Sequence, residues 1–450
     1  MRLVSRLLAV FAVAMLAIRP VAAQSILRDA ETEALLRDMA APLVAAAGLA
    51  PNNVDIVLVN DPSVNAFVAG GQAIYINSGL INTAETANEV QGVIAHELGH
   101  ISGGHVISDG GTKAATGISL LSLLLGAAAA AAGGGEAAMG VLMAGQQAAL
   151  GKYLAFTRSQ EATADAAGAQ YLSTAGISGR GSIAFFKKLE NMEFRYGYSP
   201  RDGDEFYSTH PMTGDRIATL QDTYEKDPAW SKPADAGLEV RFQRARAKLY
   251  GYLAEPRDAL IAYPETVNTV PARYARAYAF HKEAHLDKAM AEADALLSQA
   301  PDDPYFLELK GQILLESGKP GEALSPLRHA TELTGNQPLI ATLFGHALIA
   351  TEDRKNFAEA ERVLKAAVAR DRDNPFAWYQ LGVVYAANGD MPRARLASAE
   401  QQALSGRMGE ALQSAEAAES ALPTGSPDWL RAQDIAFQAR AAIERQKKRK

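Results

Sequence analysis

Residues 96 to 100 read "HELGH", inside the longer run "ANEVQGVIAHELGHISGGH". Two imidazoles four residues apart, with a carboxylate beside the first, are the side-chain types a hydrolytic metal centre uses. On a helix, His96 and His100 project from one face a turn apart and can share a single tetrahedral ion. Glu97 then stands next to the metal without having to bind it. A zinc hydrolase needs this spacing: the ion acidifies a water, and the adjacent carboxylate takes its proton for attack on an amide. The competing reading of so short a pattern is an ordinary buried helix.

A catalytic zinc takes a third protein ligand and keeps a fourth position open. His105 lies five residues after His100, just past Gly103-Gly104, whereas the metzincin pattern places its third histidine six residues on. His105 therefore reads as a surface histidine. The better candidate lies in "AFTRSQEATADAAGAQYL", where Ala162, Ala166, Ala169 and Tyr171 suggest a second helix. Glu161 and Asp165 face the same way on it. Glu161 would complete a His, His, Glu set, and Asp165 would accept the free N–H of a ligand histidine. A solvated acidic face is the alternative.

These residues, followed by the Ser/Thr-His-Pro segment "STHPMTGDRI", resemble the zinc metallopeptidase family that includes the CAAX prenyl endopeptidases and heat-shock protease X. The motifs span roughly residues 65 to 216. With an export signal in front and helical repeats behind, the chain most resembles the periplasmic β-barrel assembly-enhancing protease group. The resemblance implies one Zn2+ per chain on His96, His100 and Glu161, with Glu97 as general base. It also implies an edge strand around Asn65, Ala66 and Phe67 that takes substrate as an added strand. His210 enters through its Thr-His-Pro context, with two roles open. It either fills the fourth zinc position and holds the site closed, or, once displaced, donates a hydrogen bond to the oxyanion. Arg216, on the helix that follows, is expected to pair with a carboxylate in support of either. The implied partners are unfolded or misassembled outer-membrane proteins and their assembly machinery. A chaperone or assembly scaffold whose protease site is mostly closed is the rival reading.

Such side chains have to be carried by regular elements. Apolar and polar residues alternate through Val54 to Val59, Ala66 to Ala69 and Ala73 to Asn77, with Gly70-Gly71 as a hairpin signal. This predicts a small antiparallel sheet. From about Glu85 the period changes: Val90, Val93, Ile94, Leu98 and Ile101 predict a helix that Gly103-Gly104 stops. Between the second and third ligands, no charge occurs from Lys113 to Glu136, a length sufficient to cross a bilayer. A single crossing would separate His100 from Glu161, so only a hairpin, about 112–152, returns the chain. Gly133 to Glu136 supply its turn and Ala137 to Leu150 its second arm. It packs on the catalytic domain, touches a membrane surface or inserts.

The remainder sets the context. The chain has 450 residues, 48% of them apolar, no cysteine and a formal net charge of -7. That charge argues against nucleic acid as a partner, because neutralising phosphates requires clustered Lys and Arg. Residues 1–23 read as a cleavable signal peptide, with Arg2 and Arg6 ahead of an apolar run and a small-residue site ending at Ala23. Export without any cysteine points to a bacterial periplasm. Beyond residue 236, Ala289 and Ala323, Gly311 and Gly345, and Ala360 and Ala394 are each thirty-four apart, the tetratricopeptide period. A three-residue insertion after "TEDRK" accounts for one longer interval. Four repeats are recognisable, with Ala411 marking a shortened fourth and helices near 240–265 as an entry cap. "HKEAH" copies the first spacing at His281 and His285 but reads as repeat surface. The expected fold is mainly α (α+β): a zinc metalloprotease domain over 24–235, followed by a tetratricopeptide α-solenoid over 236–450.

Overall fold

The computed structural model describes residues 25–105, 121–122, 135–196, 210 and 214–449. The signal peptide lies outside the described residues, as does the first arm of the apolar hairpin apart from Leu121 and Ser122. The chain falls into two compact units, one built on Met39–Ala234 and one on Asp235–Lys450, to which Arg28–Asp38 also belongs.

In the first unit β1 (Ser25–Leu27), the part of α1 (Ala30–Ala46) from Met39 on, β2 (Asp55–Asn60), β3 (Ala66–Ala69) and β4 (Ala73–Asn77) follow in chain order. The strands form one sheet of order β1-β2-β4-β3. The β3–β4 hairpin is antiparallel as expected, and so is β1 with β2, but β2 and β4 run parallel. The sheet is therefore mixed rather than purely antiparallel. Alternation reveals that strands exist, not their order. Here residues 61–65 carry the chain across to β3, and the hairpin folds β4 back into the gap beside β2. Gly70 (φ 64°) and Gly71 (φ 106°) take backbone conformations that favour glycine and close that hairpin. β3 is left as an edge.

α2 (Ser78–Thr83) leads into α3 (Ala87–Ser102), the helix that carries "HELGH". The Thr86 side chain accepts from the Glu89 amide, and the Glu89 carboxylate accepts from the Glu85 amide, a variant of the capping box. α3 is buried at every position from Glu89 to His100, so it is the central helix of the unit rather than a surface one. It packs on α4 (Gly135–Ala175), α5 (Arg180–Tyr196), the edge strand β3 and its neighbour β4. Small residues permit this. A side chain at Gly99 would meet the Ala164 carbonyl oxygen at 2.5 Å, and one at Gly92 would meet Ser182 Cα at 2.7 Å. α4 runs 41 residues without interruption, so the expected second hairpin arm and the Glu161 helix are a single element. Among the described residues no helix is long and apolar enough to cross a membrane. α6 (Gly214–Glu225) completes the unit.

The second unit is helical. After α7 (Ala236–Leu253) and α8 (Pro256–Ala262) come the pairs α9/α10 (Val270–Lys282, Leu286–Gln299), α11/α12 (Pro304–Glu316, Pro320–Leu333), α13/α14 (Pro338–Ala350, Phe357–Arg370) and α15/α16 (Pro375–Ala387, Met391–Leu404). Thr269, Asp303, Gln337 and Asn374 cap the first helix of each pair, with proline in its first turn. The first three caps are thirty-four apart. The fourth comes three residues late, and those three form a 3-10 turn at Arg354–Asn356. Gly311 and Gly345 let Leu327 and Leu364 of the second helices pack against the first. Ala289, Ala323, Ala360 and Ala394 each fall on a second helix, while Ala411 lies beyond them on α17 (Met408–Glu419), which packs on α18 (Pro427–Arg449).

Candidate metal centre

α3 presents His96 and His100, and α4 presents Glu161 and Asp165. The missing side chain at Gly99 lets the α4 backbone approach closely enough for Glu161, one turn before Ala164, to reach both imidazoles. His96 Nε2 lies 3.1 Å from His100 Nε2, and the Glu161 carboxylate stands 3.4 Å from each. His210 enters from its own segment, with Nδ1 3.3 Å from His96 Nε2 and 3.1 Å from Glu161 Oε1. One donor atom from each of His96, His100, Glu161 and His210 lies within 4.8 Å of the others, and all four residues are buried.

The surroundings fix these groups. Asp165 Oδ1 lies 2.9 Å from His96 Nδ1, which turns the His96 Nε2 inward. Arg216 donates Nε and Nη2 to Asp165 at 2.8 and 2.9 Å, and its Nη1 stands 3.1 Å from Glu161. One guanidinium thus braces both carboxylates of α4. Glu97 is completely buried, yet neither of its oxygens has a hydrogen-bond partner among the described residues. His210 Nε2 stands 3.6 Å from its Oε1.

Residues Asn65, Ala66 and Phe67 lie at the start of β3, beside α3. Asn65 is buried and its carbonyl accepts from the Asn77 amide, whereas Phe67 stacks on Tyr75 with ring centroids 5.1 Å apart. His105, which reads as a surface histidine, is half-buried and in contact with the centre. Its Nδ1 lies 2.9 Å from His100 Nδ1, and the two rings meet edge to face. The signal was present in Gly103-Gly104, which does more than end the helix.

These residues fit a zinc ion. Two imidazole nitrogens and a carboxylate, with a third imidazole nitrogen beside them, are the donor types that zinc takes. With His96 Nδ1 against a carboxylate and His100 Nδ1 against His105, both Nε2 atoms face one point, and two lone pairs 3.1 Å apart repel unless a cation lies between them. Glu97, Glu161, Asp165 and Arg216 carry a combined charge of −2, which a divalent ion neutralises.

Protonation without metal tells the same story. Burial disfavours charge on His96, but its contacts with Asp165 and Glu161 prevail and raise it to about 10. Burial, aided by the charges on His96 and His210, lowers His100 to about 4. Burial also opposes ionisation of Glu161, yet His100, His210 and His96 hold its carboxyl far below the usual range. Glu97 is pushed up by burial, only partly countered by His210 and His96. A proton on His96 therefore occupies the place of the cation, and an ion that binds displaces it.

Residues 27–224 match the profile of Peptidase family M48. Over 380 residues the chain is 25% identical to the Beta-barrel assembly-enhancing protease of Escherichia coli (strain K12), covering 82% of this chain and 75% of that protein. It is 34% identical over 180 residues to Metalloprotease LoiP of the same organism, covering 39% of this chain and 64% of the relative. The mitochondrial Metalloendopeptidase OMA1 of Bos taurus is 26% identical over 178 residues, 38% of this chain and 33% of that one.

Proposed function

From the premise that residues 27–224 are a zinc metalloendopeptidase domain of family M48, we propose that this chain cleaves unfolded or misassembled outer-membrane proteins in the periplasm. In this reading a signal peptide over 1–23 directs export, residues 24–235 do the chemistry and 236–450 engage client or assembly partner. The observation that carries the reading is the convergence of His96, His100, Glu161 and His210 beside a buried Glu97 whose oxygens accept no hydrogen bond among the described residues.

When bound, zinc supplies a Lewis acid that polarises the scissile carbonyl and acidifies water. His96, His100 and Glu161 hold it. Asp165 orients His96, and Arg216 keeps Asp165 and Glu161 apart and fixed. Glu97 accepts the proton of the attacking water at one carboxylate oxygen and returns it to the leaving amine. Its raised pKa, caused by burial, suits both halves of that task. The substrate lies along β3 as an added strand, since β3 is a sheet edge beside the helix that carries Glu97.

His210 restrains the site. Its Nδ1 stands among the donor atoms, so with an ion bound it would compete with a substrate carbonyl for that ion. This supports a resting state that is closed, and a chain whose proteolysis is switched on by displacing one side chain.

The repeats offer the contact surface for partners. Phe376 and Tyr379 stack on each other, remain about half exposed, and extend to His346 through a ring contact with Phe376. The name of the first relative above refers to β-barrel assembly. A cell that lacks this chain should regain outer-membrane assembly when given the native protein, and fail to when given Glu97→Gln. Full rescue by Glu97→Gln would replace the protease reading with that of an assembly scaffold.

A further inference from the structure

The two helix-borne histidines of the centre are supported differently. His96 rests its Nδ1 on the Asp165 carboxylate, but His100 Nδ1 faces another histidine, His105, at 2.9 Å. We propose that His105 is a positioning residue: a neutral imidazole whose Nδ1 accepts the proton on His100 Nδ1, and so keeps the His100 Nε2 lone pair free for the metal.

The local chain is built to place that ring. Gly104 has φ 63°, a left-handed conformation that turns the backbone at the end of α3, and the His105 amide then donates to the His100 carbonyl at 3.1 Å. The His105 ring folds back over Gly103. A Cβ at Gly103 would lie 2.5 Å from His105 Nε2 and 2.8 Å from Cε1, so only glycine leaves room for the ring. Gly103 itself has φ −73°, which any residue adopts, so backbone freedom does not explain the need for glycine there.

The proton count follows from the geometry. Two facing Nδ1 atoms share one hydrogen. If His105 supplied it, the proton of neutral His100 would sit on Nε2, aimed at His96 and Glu161, where a metal ligand needs a lone pair. With His100 as donor, the His105 proton lies on Nε2, and no charge is added to a set that a divalent ion already neutralises. A carboxylate in place of His105 would leave that set one negative charge in excess.

This inference rests on the metalloprotease reading, and its test separates the two. Zinc affinity is measured by competition with a chromophoric chelator on the full mature chain, native and variant, with the thermal midpoint and the spectrum of the cobalt-substituted protein as companions. His105→Ala should weaken zinc by about 10–100-fold, the range for losing an outer partner of a ligand histidine, with the midpoint little changed. His105→Asn, whose Oδ1 stands where Nδ1 stood, should recover most of the loss. Gly103→Ala, which leaves every donor atom in place, should weaken zinc as well by displacing the ring. Native protein without tight zinc would overturn the metalloprotease reading itself. Native and His105→Ala proteins of equal affinity would overturn only the role of His105, as would an Asn variant no better than Ala.

Discussion

Two stretches of this chain place histidines four residues apart, "HELGH" at 96–100 and "HKEAH" at 281–285, and the structure treats them in opposite ways. In the first, α3 continues through both residues and the two Nε2 atoms meet at 3.1 Å. In the second, α9 ends at Lys282, Ala284 takes φ 59°, and His285 stands just before the next helix without capping it through its side chain. The second pair never shares a helix face. His281 pairs with Glu316 at 2.7 Å, while His285 is largely exposed beside Glu283. The spacing permits convergence, but an unbroken helix buried among carboxylates from other elements produces it.

Substitutions at both pairs should break the symmetry most strongly. His96→Ala or Glu161→Ala should abolish stoichiometric zinc and peptide hydrolysis, whereas His281→Ala and His285→Ala should leave both intact. Metal analysis after dialysis reads the difference, and one zinc retained per chain by Glu161→Ala would mean that the third ligand lies elsewhere. Glu97→Gln should cut turnover by about 10²–10⁴-fold with zinc unchanged, because only the proton acceptor is lost. Arg216→Ala should weaken zinc by roughly 10–100-fold through the two carboxylates it braces. No counterpart exists at Glu316, where loss of one exposed partner should cost about 0–1 kcal/mol in thermal stability.

His210→Ala sharpens the comparison through its sign. As a restraint, His210 has no equivalent in the repeat unit, and its removal should raise cleavage of unfolded protein several-fold. A fall of about 10²–10³-fold at unchanged zinc content would assign it to the oxyanion instead.

The smallest effect concerns the polar cluster of the repeat unit, where charges are mutually paired rather than aimed at a common point. Lys248 contacts Asp29, Arg244 bridges Glu31 and Asp303, and Tyr274 donates to Glu31. Glu308 is the exception, pushed up by burial to about 7 against the pull of Lys248. Its folded pKa exceeds the unfolded value, so its contribution to stability is complete below about 4.5 and is lost as pH rises through about 7. Glu308→Gln should therefore flatten the pH dependence of the thermal midpoint between about pH 4.5 and 7 and raise the midpoint by a few degrees above that window, as calorimetry would read.

Several features were legible in order along the chain. The helix of "HELGH" follows from a 3.6-residue period that begins near Glu85 and stops at Gly103-Gly104. The repeat period follows from small residues recurring every thirty-four positions, and even the three-residue turn at Arg354–Asn356 was visible as an interruption of that count. The histidine and carboxylate types that converge, and the Glu161–Asp165 spacing, were legible too, because each set belongs to one helix, whose periodicity fixes which face it occupies.

Properties that join distant segments were not legible. Alternation marked the strands, but the parallel pairing of β2 with β4 depends on which edge the hairpin folds against. The bracing of Asp165 and Glu161 by one Arg216 guanidinium, the seat of Arg28–Asp38 in the repeat unit, and the placing of His105 against His100 depend on the approach of whole elements. Sequence determined what each helix presents, since side-chain direction repeats with the backbone. Tertiary structure decided which presented groups meet, because that distance is set by how closely helices pack, and at Gly99 and Gly103 the absence of a single carbon atom sets it.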